Sequence, residues 1–329
     1  MPTQSPANHT HKRAIILLNM GGPTDISGVE SFLQNLFSDP LILRIKNRFI
    51  RKMVGSFIIN KRLESAKHNY RAIGGASPLP AHTFALCKQL EKLDSSAIFT
   101  YAMRYTPPFA YDVLRSLCEQ KVDEIVLFSM YPQFSTTTTK SSMLDIYHNL
   151  KALSYTPRIH IVEDFHAYEP YYELIASTIL DTLQERDPRD FTLLLSAHSL
   201  PQKIVDSGDP YPAQCQKGVE ILRTIFARRG IEFAKIVLAY QSKVGPMRWI
   251  EPFTSDIIAK ASGQNLIIYP LAFTIDNAET IYELGIEYKE LAKQKGVKDY
   301  LLCPCMNDSP EFATMIYTLA KQRLDSSPT

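Results

Sequence analysis

A histidine stands where a buried strand should end. Leu193-Leu194-Leu195 reads as the inside of a strand, Ser196-Ala197 as its close, and His198 follows shortly before Pro201. In an open α/β sheet the carboxyl ends of the strands are where ligands bind. An imidazole there can ligate a metal or move a proton near neutral pH; the plain alternative is a loop histidine satisfied by its neighbours. A second group is acidic. Asp276, Glu279 and Glu283 follow the strand-like run 266–269 at spacings of three and four, which places them on one helix face. The same residues read as a capping box, with Asp276 at the cap and Glu279 at the third position, and Glu287 and Glu290 continue the stripe as a solvated face. One imidazole with one or two carboxylates suits a divalent first-row metal that must bind and then leave; thiolates would hold it more tightly. The third feature is the stretch 41–62. It carries Arg44, Lys46, Arg48, Arg51, Lys52, Lys61 and Arg62, no acidic residue, and apolar residues at helical spacing (Ile42, Ile45, Phe49, Met53; Ile50, Val54, Phe57). Such a helix can lie in a membrane interface or pack into a core with its cations snorkelling outward.

These residues need elements to hold them. Short apolar runs at 14–18, 98–103, 124–128, 158–162, 192–196, 235–240, 265–269 and 300–303 alternate with helical patterns such as 172–184, 212–228 and 279–293. Strands alternating with helices predict an α/β fold with parallel sheets and crossover connections. The eight strands divide into two sets of four near 164–169. Each half opens with an apolar strand followed by a turn rich in small residues and proline. We therefore expect two similar doubly wound, Rossmann-like domains, residues 1–165 and 166–329, with their sheets facing a central cleft.

Composition narrows the function. The 329 residues carry 36 basic and 34 acidic side chains, a net charge of +2, which argues against nucleic acid as a partner. Thirteen glycines make a glycine-rich phosphate cradle a poor fit, and Gly21-Gly22-Pro23 lacks the third spaced glycine of a dinucleotide fingerprint. Five scattered cysteines do not form a disulfide framework, so a reducing compartment is expected; Cys303 and Cys305 read as buried thiols. Residues 1–13 are polar, without an apolar core of signal-peptide length, and no run approaches the ~20 apolar residues of a membrane span. A cytoplasmic location is expected.

The motifs fall in a recognisable order: Leu18-Asn-Met-Gly-Gly-Pro23, residues 32–40, Tyr70-Arg-Ala-Ile-Gly-Gly-Ala-Ser-Pro78, Met103-Arg-Tyr105, Tyr131-Pro-Gln-Phe-Ser135, Ser196-Ala-His-Ser-Leu-Pro201, Gly208-Asp-Pro-Tyr-Pro212, Gln241-Ser-Lys-Val-Gly-Pro246 with Trp249, and residues 273–283. From Leu17 to about Phe312 the chain resembles the ferrochelatases, which insert ferrous iron into a porphyrin at the end of haem synthesis. The resemblance implies two chelatase-type domains, with His198 and Glu279 as the iron-binding, catalytic pair. Glu283 would extend an acidic path for iron or protons, on a helix whose π-type widening aligns Glu279, Glu283 and Glu287. Met20 would face the macrocycle across the cleft from His198. Arg62, Tyr70 and Ser77 would hold the porphyrin and its propionates, and Arg104, Tyr131, Trp249 and Phe273 would line the pocket. Residues 41–62 would form the lip through which a greasy porphyrin enters at a membrane surface, handed over by the preceding porphyrin-producing oxidase. Fe2+ is then substrate, and no cofactor is resident.

Two departures from the family pattern stand out. Many members carry histidine after the aspartate matching Asp276, where this chain has Asn277; an amide cannot relay a proton as imidazole does. Members with a [2Fe–2S] cluster carry cysteine where this chain has Thr136, and they have a cysteine-rich C-terminal extension, so no cluster is expected. Three other readings stay open: a coproporphyrin ferrochelatase, a cobalt chelatase, and a porphyrin- or haem-binding carrier without chemistry.

Overall fold

The computed structural model describes residues 12–326 except Val244 and Pro246, so those two positions of the Gln241-to-Pro246 motif lie outside the described residues. Eight strands form, one for each apolar run: β1 (Arg13–Asn19), β2 (Ile98–Met103), β3 (Glu124–Ser129), β4 (Arg158–Val162), β5 (Phe191–His198), β6 (Lys235–Gln241), β7 (Asn265–Pro270) and β8 (Asp299–Leu302). They make two four-stranded sheets in the orders β2-β1-β3-β4 and β6-β5-β7-β8, with every pairing parallel. The second order repeats the first. In both sheets the earliest strand is internal, and β1 and β5 are almost wholly buried along their length, as a parallel strand covered on both faces must be.

The helices in the first half are α1 (Gly28–Ser38), α2 (Pro40–Leu43), α3 (Arg48–Ala72), α4 (Leu79–Leu93), α5 (Ala110–Glu119) and α6 (Thr139–Ala152). Those in the second are α7 (Glu169–Leu183), α8 (Gln202–Asp206), α9 (Tyr211–Arg228), α10 (Thr254–Ala259), a π-helix (Glu279–Glu287) that continues into α11 (Tyr288–Gln294), and α12 (Pro310–Asp325). The sheets lie on either side of residue 165, but the join between them is packed. Phe128 of β3 meets Phe165, Phe165 meets Tyr171 edge-on at 4.9 Å, and Tyr171 of α7 contacts Phe312 of α12. One apolar cluster runs from Ile15 and Leu17 through Tyr171 and Leu193 to Phe312 and Ile316. Helix α12 lies against α4, β3 and β4 of the first half as well as α7. Aromatic contacts of this kind add about 0.5–1.5 kcal/mol each beyond their buried area, so the floor beneath the site is stiff.

At the amino end of the first sheet, away from His198, Glu124 is 4% exposed. It accepts from Arg13 Nε at 2.7 Å, lies 3.1 Å from His160 Nε2, and is 3.6 Å from Arg158 Nη1. Burial pushes its carboxyl upward, but Arg13 and His160 together outweigh burial and hold it below the ordinary value. A carboxyl lowered by folding stabilises fully above its unfolded value, near pH 4.3, and loses that contribution as pH falls through the folded value. Glu124→Gln is therefore expected to cost about 1.5–3 kcal/mol at pH 7. The gap in melting temperature from the parent should close as pH is lowered below about 4. A gap that does not change with pH would refute this assignment.

Candidate active site

Strand β5 runs two residues beyond the apolar run that marks it, because Ala197 and His198 pair with Tyr240 and Gln241 of β6. His198 is thus the last residue of an internal strand. Its Nδ1 lies 2.6 Å from the carbonyl oxygen of Ser199. A carbonyl only accepts, so Nδ1 carries the proton, and in the neutral ring Nε2 keeps a lone pair for a proton or a metal. The backbone around it is fixed as well. Tyr211 OH donates to the His198 carbonyl at 2.9 Å, Ser199 Oγ donates to Ile250 O at 3.1 Å, and Ser199 N donates to Gln241 O at 2.8 Å. Phe273 meets the imidazole edge-on, with ring centroids 6.5 Å apart.

Glu279 opens the π-helix. Burial raises its carboxyl above the usual range and the charge of Glu283 adds to this, while His198 and Arg62 are near enough to pull it down without prevailing. The widening is real: Tyr288 N–H reaches Glu283 O, an i→i+5 bond. The cap differs from the expected one. Asn277, not Asp276, caps the helix, with Oδ1 accepting from Glu279 N at 2.9 Å and Thr280 N at 3.1 Å. Asp276 is unavailable because Oδ1 takes the Thr280 hydroxyl and Oδ2 takes Asn307 Nδ2 at 2.7 Å. This chain thus uses an amide to start the helix. Cys303 and Cys305 are buried free thiols; burial pushes Cys303 up to about 12.

The other expected site residues belong mostly to the first half. Met20 follows β1 directly and is half-buried, and its carbonyl accepts from Tyr105 N at 2.9 Å. Gly21, at φ +86°, and Gly22 let the chain turn tightly here: a Cβ on Gly21 would meet Thr106 Oγ1, and one on Gly22 would meet Ser77 Oγ. Ser77 is accordingly buried behind the turn. Tyr70 is buried on α3, and burial together with the Glu279 charge raises its hydroxyl. Arg62, on the same helix, is exposed. Arg104 is held by Ser141 Oγ at 2.9 Å and Asp39 Oδ2 at 3.2 Å. Tyr131 is raised by burial, with Arg104 and Asp39 acting on it. Trp249 is buried and bridges to Pro201, behind the His198 loop.

Helix α3 rests on the π-helix. His68 contacts Tyr282 edge-on at 6.3 Å, and Ala278 joins the cluster of Val29, Phe32, Ile59 and Tyr70. Two small cavities, of ≈ 50 and ≈ 10 Å³, adjoin the first sheet and are not lined by His198 or Glu279; Arg104 lines the smaller. The stretch 41–62 is not one helix. It breaks after α2, where Arg44 is left-handed, and restarts at Asn47, which caps α3 through Phe49 N and Ile50 N. Its outer face presents Phe49 (71% exposed), Ile50, Met53 and Phe57, flanked by exposed Lys46, Arg48 and Lys52. Arg51 instead staples the break through Ser38 O and Ile45 O, and Arg44 reaches Thr136 Oγ1 at 2.9 Å.

Two structural carboxylates went unmarked in the sequence. Asp39 is 3% exposed; it caps α2 through Leu41 N and gathers Tyr105 OH, Ser141 Oγ and Arg104. Its signal was the Asp-Pro start of a helix. Asp209 clasps the first half from the second, accepting from Thr136 N and Oγ1 at 2.7 Å each and from Ser135 Oγ at 3.0 Å.

An imidazole whose Nε2 is uncommitted, near a carboxyl that burial raises, can take up protons and hold a divalent metal. The ferrochelatase family model matches residues 12–324. Ferrochelatase of Helicobacter acinonychis is 49% identical over 320 residues, covering 97% of this chain and 95% of its own. That of Helicobacter pylori strain P12 is 50% identical over 319 residues, covering 97% and 96%. That of Wolinella succinogenes is 47% identical over 311 residues, covering 94% and 98%. Among solved structures, SirB from Bacillus subtilis with Fe3+ superposes with a TM-score of 0.58 at 10% identity, covering 95% of this chain and 96% of that one. CbiX, a terminal enzyme of sirohaem biosynthesis, gives 0.50 at 15% identity, covering 96% and 100%; at these identities the likeness is one of fold. Two repeated parallel sheets, a histidine at the end of one of them, a π-helix of glutamates and near-half identity along almost its full length place this chain in the ferrochelatase family.

Proposed function

We propose that the chain inserts Fe2+ into protoporphyrin IX to give haem b, with release of two protons, in the crevice between the ends of β1 and β5. The observation that carries this is the fixed His198 ring: Nδ1 is held by the Ser199 carbonyl, which leaves Nε2 as the ring nitrogen that can act near Glu279. Insertion exchanges two pyrrole N–H protons for one Fe2+, and no redox step is needed. A planar porphyrin hides its nitrogen lone pairs, so the walls at Met20, Phe273 and Trp249 would hold the ring saddled, closer to the transition state. His198 Nε2 and the Glu279 carboxylate present the metal; as Fe2+ passes to the pyrrole nitrogens, the freed Nε2 lone pair takes one pyrrole proton and the freed carboxylate takes the other, and both protons then leave to solvent. Arg62, Tyr70 and Ser77 serve the porphyrin and its propionates, and Arg104 and Tyr131 border the pocket. The ring enters by displacement of α3 from the π-helix. Imidazole and carboxylate discriminate weakly among borderline divalent ions, so Co2+ and Zn2+ should also be inserted. No [2Fe–2S] cluster takes part: Thr136 stands at the cluster-cysteine position, with its hydroxyl engaged by Asp209.

Residues 1–165 and 166–329 act as the two jaws. The exposed apolar face of α3, bordered by cations, rests on an anionic membrane surface at its cytoplasmic side, where the preceding oxidase can deliver porphyrin. No helix among the described residues is long and apolar enough to cross a membrane.

Anaerobic incubation with Fe2+ and either porphyrin tests the reaction. Protoporphyrin free-base absorption should disappear over many turnovers per protein. Preference for coproporphyrin would move the assignment to that substrate, and stoichiometric binding without turnover would make the chain a carrier. Sedimentation with anionic vesicles, lost when Phe49, Met53 and Phe57 are changed to serine, tests the membrane contact.

A further inference from the structure

The glutamates of the π-helix are of two kinds. Among the described residues no other residue donates a hydrogen bond to the Glu279 carboxylate, whereas that of Glu283 is saturated. Oε1 accepts from Ser242 N at 2.7 Å and Tyr288 OH at 2.9 Å. Oε2 accepts from Gln241 Nε2 at 3.1 Å and from Ser242 Oγ. A carboxylate offers about four lone-pair sites, and here four donors fill them, so an incoming cation would have to break these bonds first. The donors are not solvent-side groups. Gln241 is 1% exposed and pairs with His198 across the sheet. It accepts from Ser196 Oγ at 2.7 Å and donates to the Glu279 carbonyl at 3.3 Å. Ser242, in the left-handed region at φ +67°, turns its N–H and hydroxyl together toward Glu283.

We propose that Glu283 is a positioning residue that fastens the π-helix to the end of β6 and so sets Glu279 relative to His198, rather than a carrier of iron or protons. This narrows the role that family resemblance implies, and it rests on His198 and Glu279 being the reacting pair. A carrier and an anchor respond differently to substitution. Glu283→Gln keeps one oxygen for Ser242 N and Tyr288 OH and an amide that Ser242 Oγ can accept from, so most of the anchor survives while the acid–base function is lost.

The test compares three variants in steady-state iron insertion. Glu283→Gln should lose about threefold in kcat/KM for Fe2+ and keep the parental pH profile. Glu283→Ala should lose about thirtyfold, with the porphyrin KM unchanged. Ser242→Ala combined with Tyr288→Phe, which removes two donors and leaves the carboxylate with Ser242 N and Gln241 Nε2, should lose about tenfold, only part of what two hydrogen bonds to a charged group contribute, because the remaining donors still hold the anchor. The proposal is overturned if Glu283→Gln is as damaged as Glu283→Ala, if its pH profile loses a limb, or if the donor variant is fully active. Should Glu283→Ala not fold, the other two decide. An active His198→Ala would instead remove the reading of the reaction itself.

Discussion

His198→Ala is expected to abolish iron insertion, with kcat falling at least about a thousandfold, while porphyrin still binds within roughly threefold of the parental affinity. General acid–base groups contribute about 10²–10⁴-fold, and His198 is cast as both base and metal ligand. The expectation follows from the ring's geometry. Nδ1 is committed to the Ser199 carbonyl, so Nε2 is the reactive atom; Asn277, turned inward as the helix cap, offers no base in its place, and Glu279 is already cast as the second metal ligand. The fold should not suffer. The ring is half-buried, and its hydrogen bond is to the next residue, a contact worth about 1 kcal/mol. Porphyrin binding followed by fluorescence and insertion followed by absorbance, on the same preparation, make the check. Near-normal turnover by the variant would end the assignment of His198.

The sheets were readable because a strand buried on both faces must be apolar along its length, a rule the internal strands β1, β3, β5 and β7 follow; the edge strands are only partly buried, yet each still carries an apolar run. The edges were less readable. Nothing apolar marks Ala197-His198 as strand; the ladder to Gln241 makes it so. The stretch 41–62 shows one helical period, yet it breaks because Arg44 turns left-handed and Asn47 recaps the chain. Two of its cations proved to be staples. The helix at 279 was misread at its cap for a similar reason. Asp276 and Asn277 both look like caps locally, and the choice falls to Asn307, thirty-one residues away, which occupies Asp276. His198 was legible as a candidate because topology puts it at the carboxyl end of an internal strand. Asp39 and Asp209 were not, because their partners Ser141 and Thr136 lie 102 and 73 residues distant. Local spacing reports periodicity and caps; it carries no record of which distant donor claims a carboxylate.

Glu279→Gln should separate stability from function most clearly. Burial, aided by Glu283, raises the carboxyl in the folded protein above its ordinary value. A carboxyl raised by folding contributes stability that is complete below the unfolded value and is lost as pH rises through the folded one. Above that raised value the ionised side chain is therefore a burden on the fold. Gln, neutral and of equal size, should raise the melting temperature in that range, by about 2–4 °C per kcal/mol recovered, and the gain should vanish toward pH 4. Iron use should move the other way. In the parent, the KM for Fe2+ should rise as pH falls, since the metal must displace a proton. In the variant it should be raised by about tenfold or more at neutral pH, the loss of one charged ligand, and should no longer respond to that titration, while the porphyrin KM stays put. Stability bought at the expense of activity is the signature of a side chain kept in an unfavourable state for its chemistry. A variant that is less stable at neutral pH, or that uses iron as well as the parent does, would show that Glu279 belongs to the packing of the π-helix and not to the reacting pair.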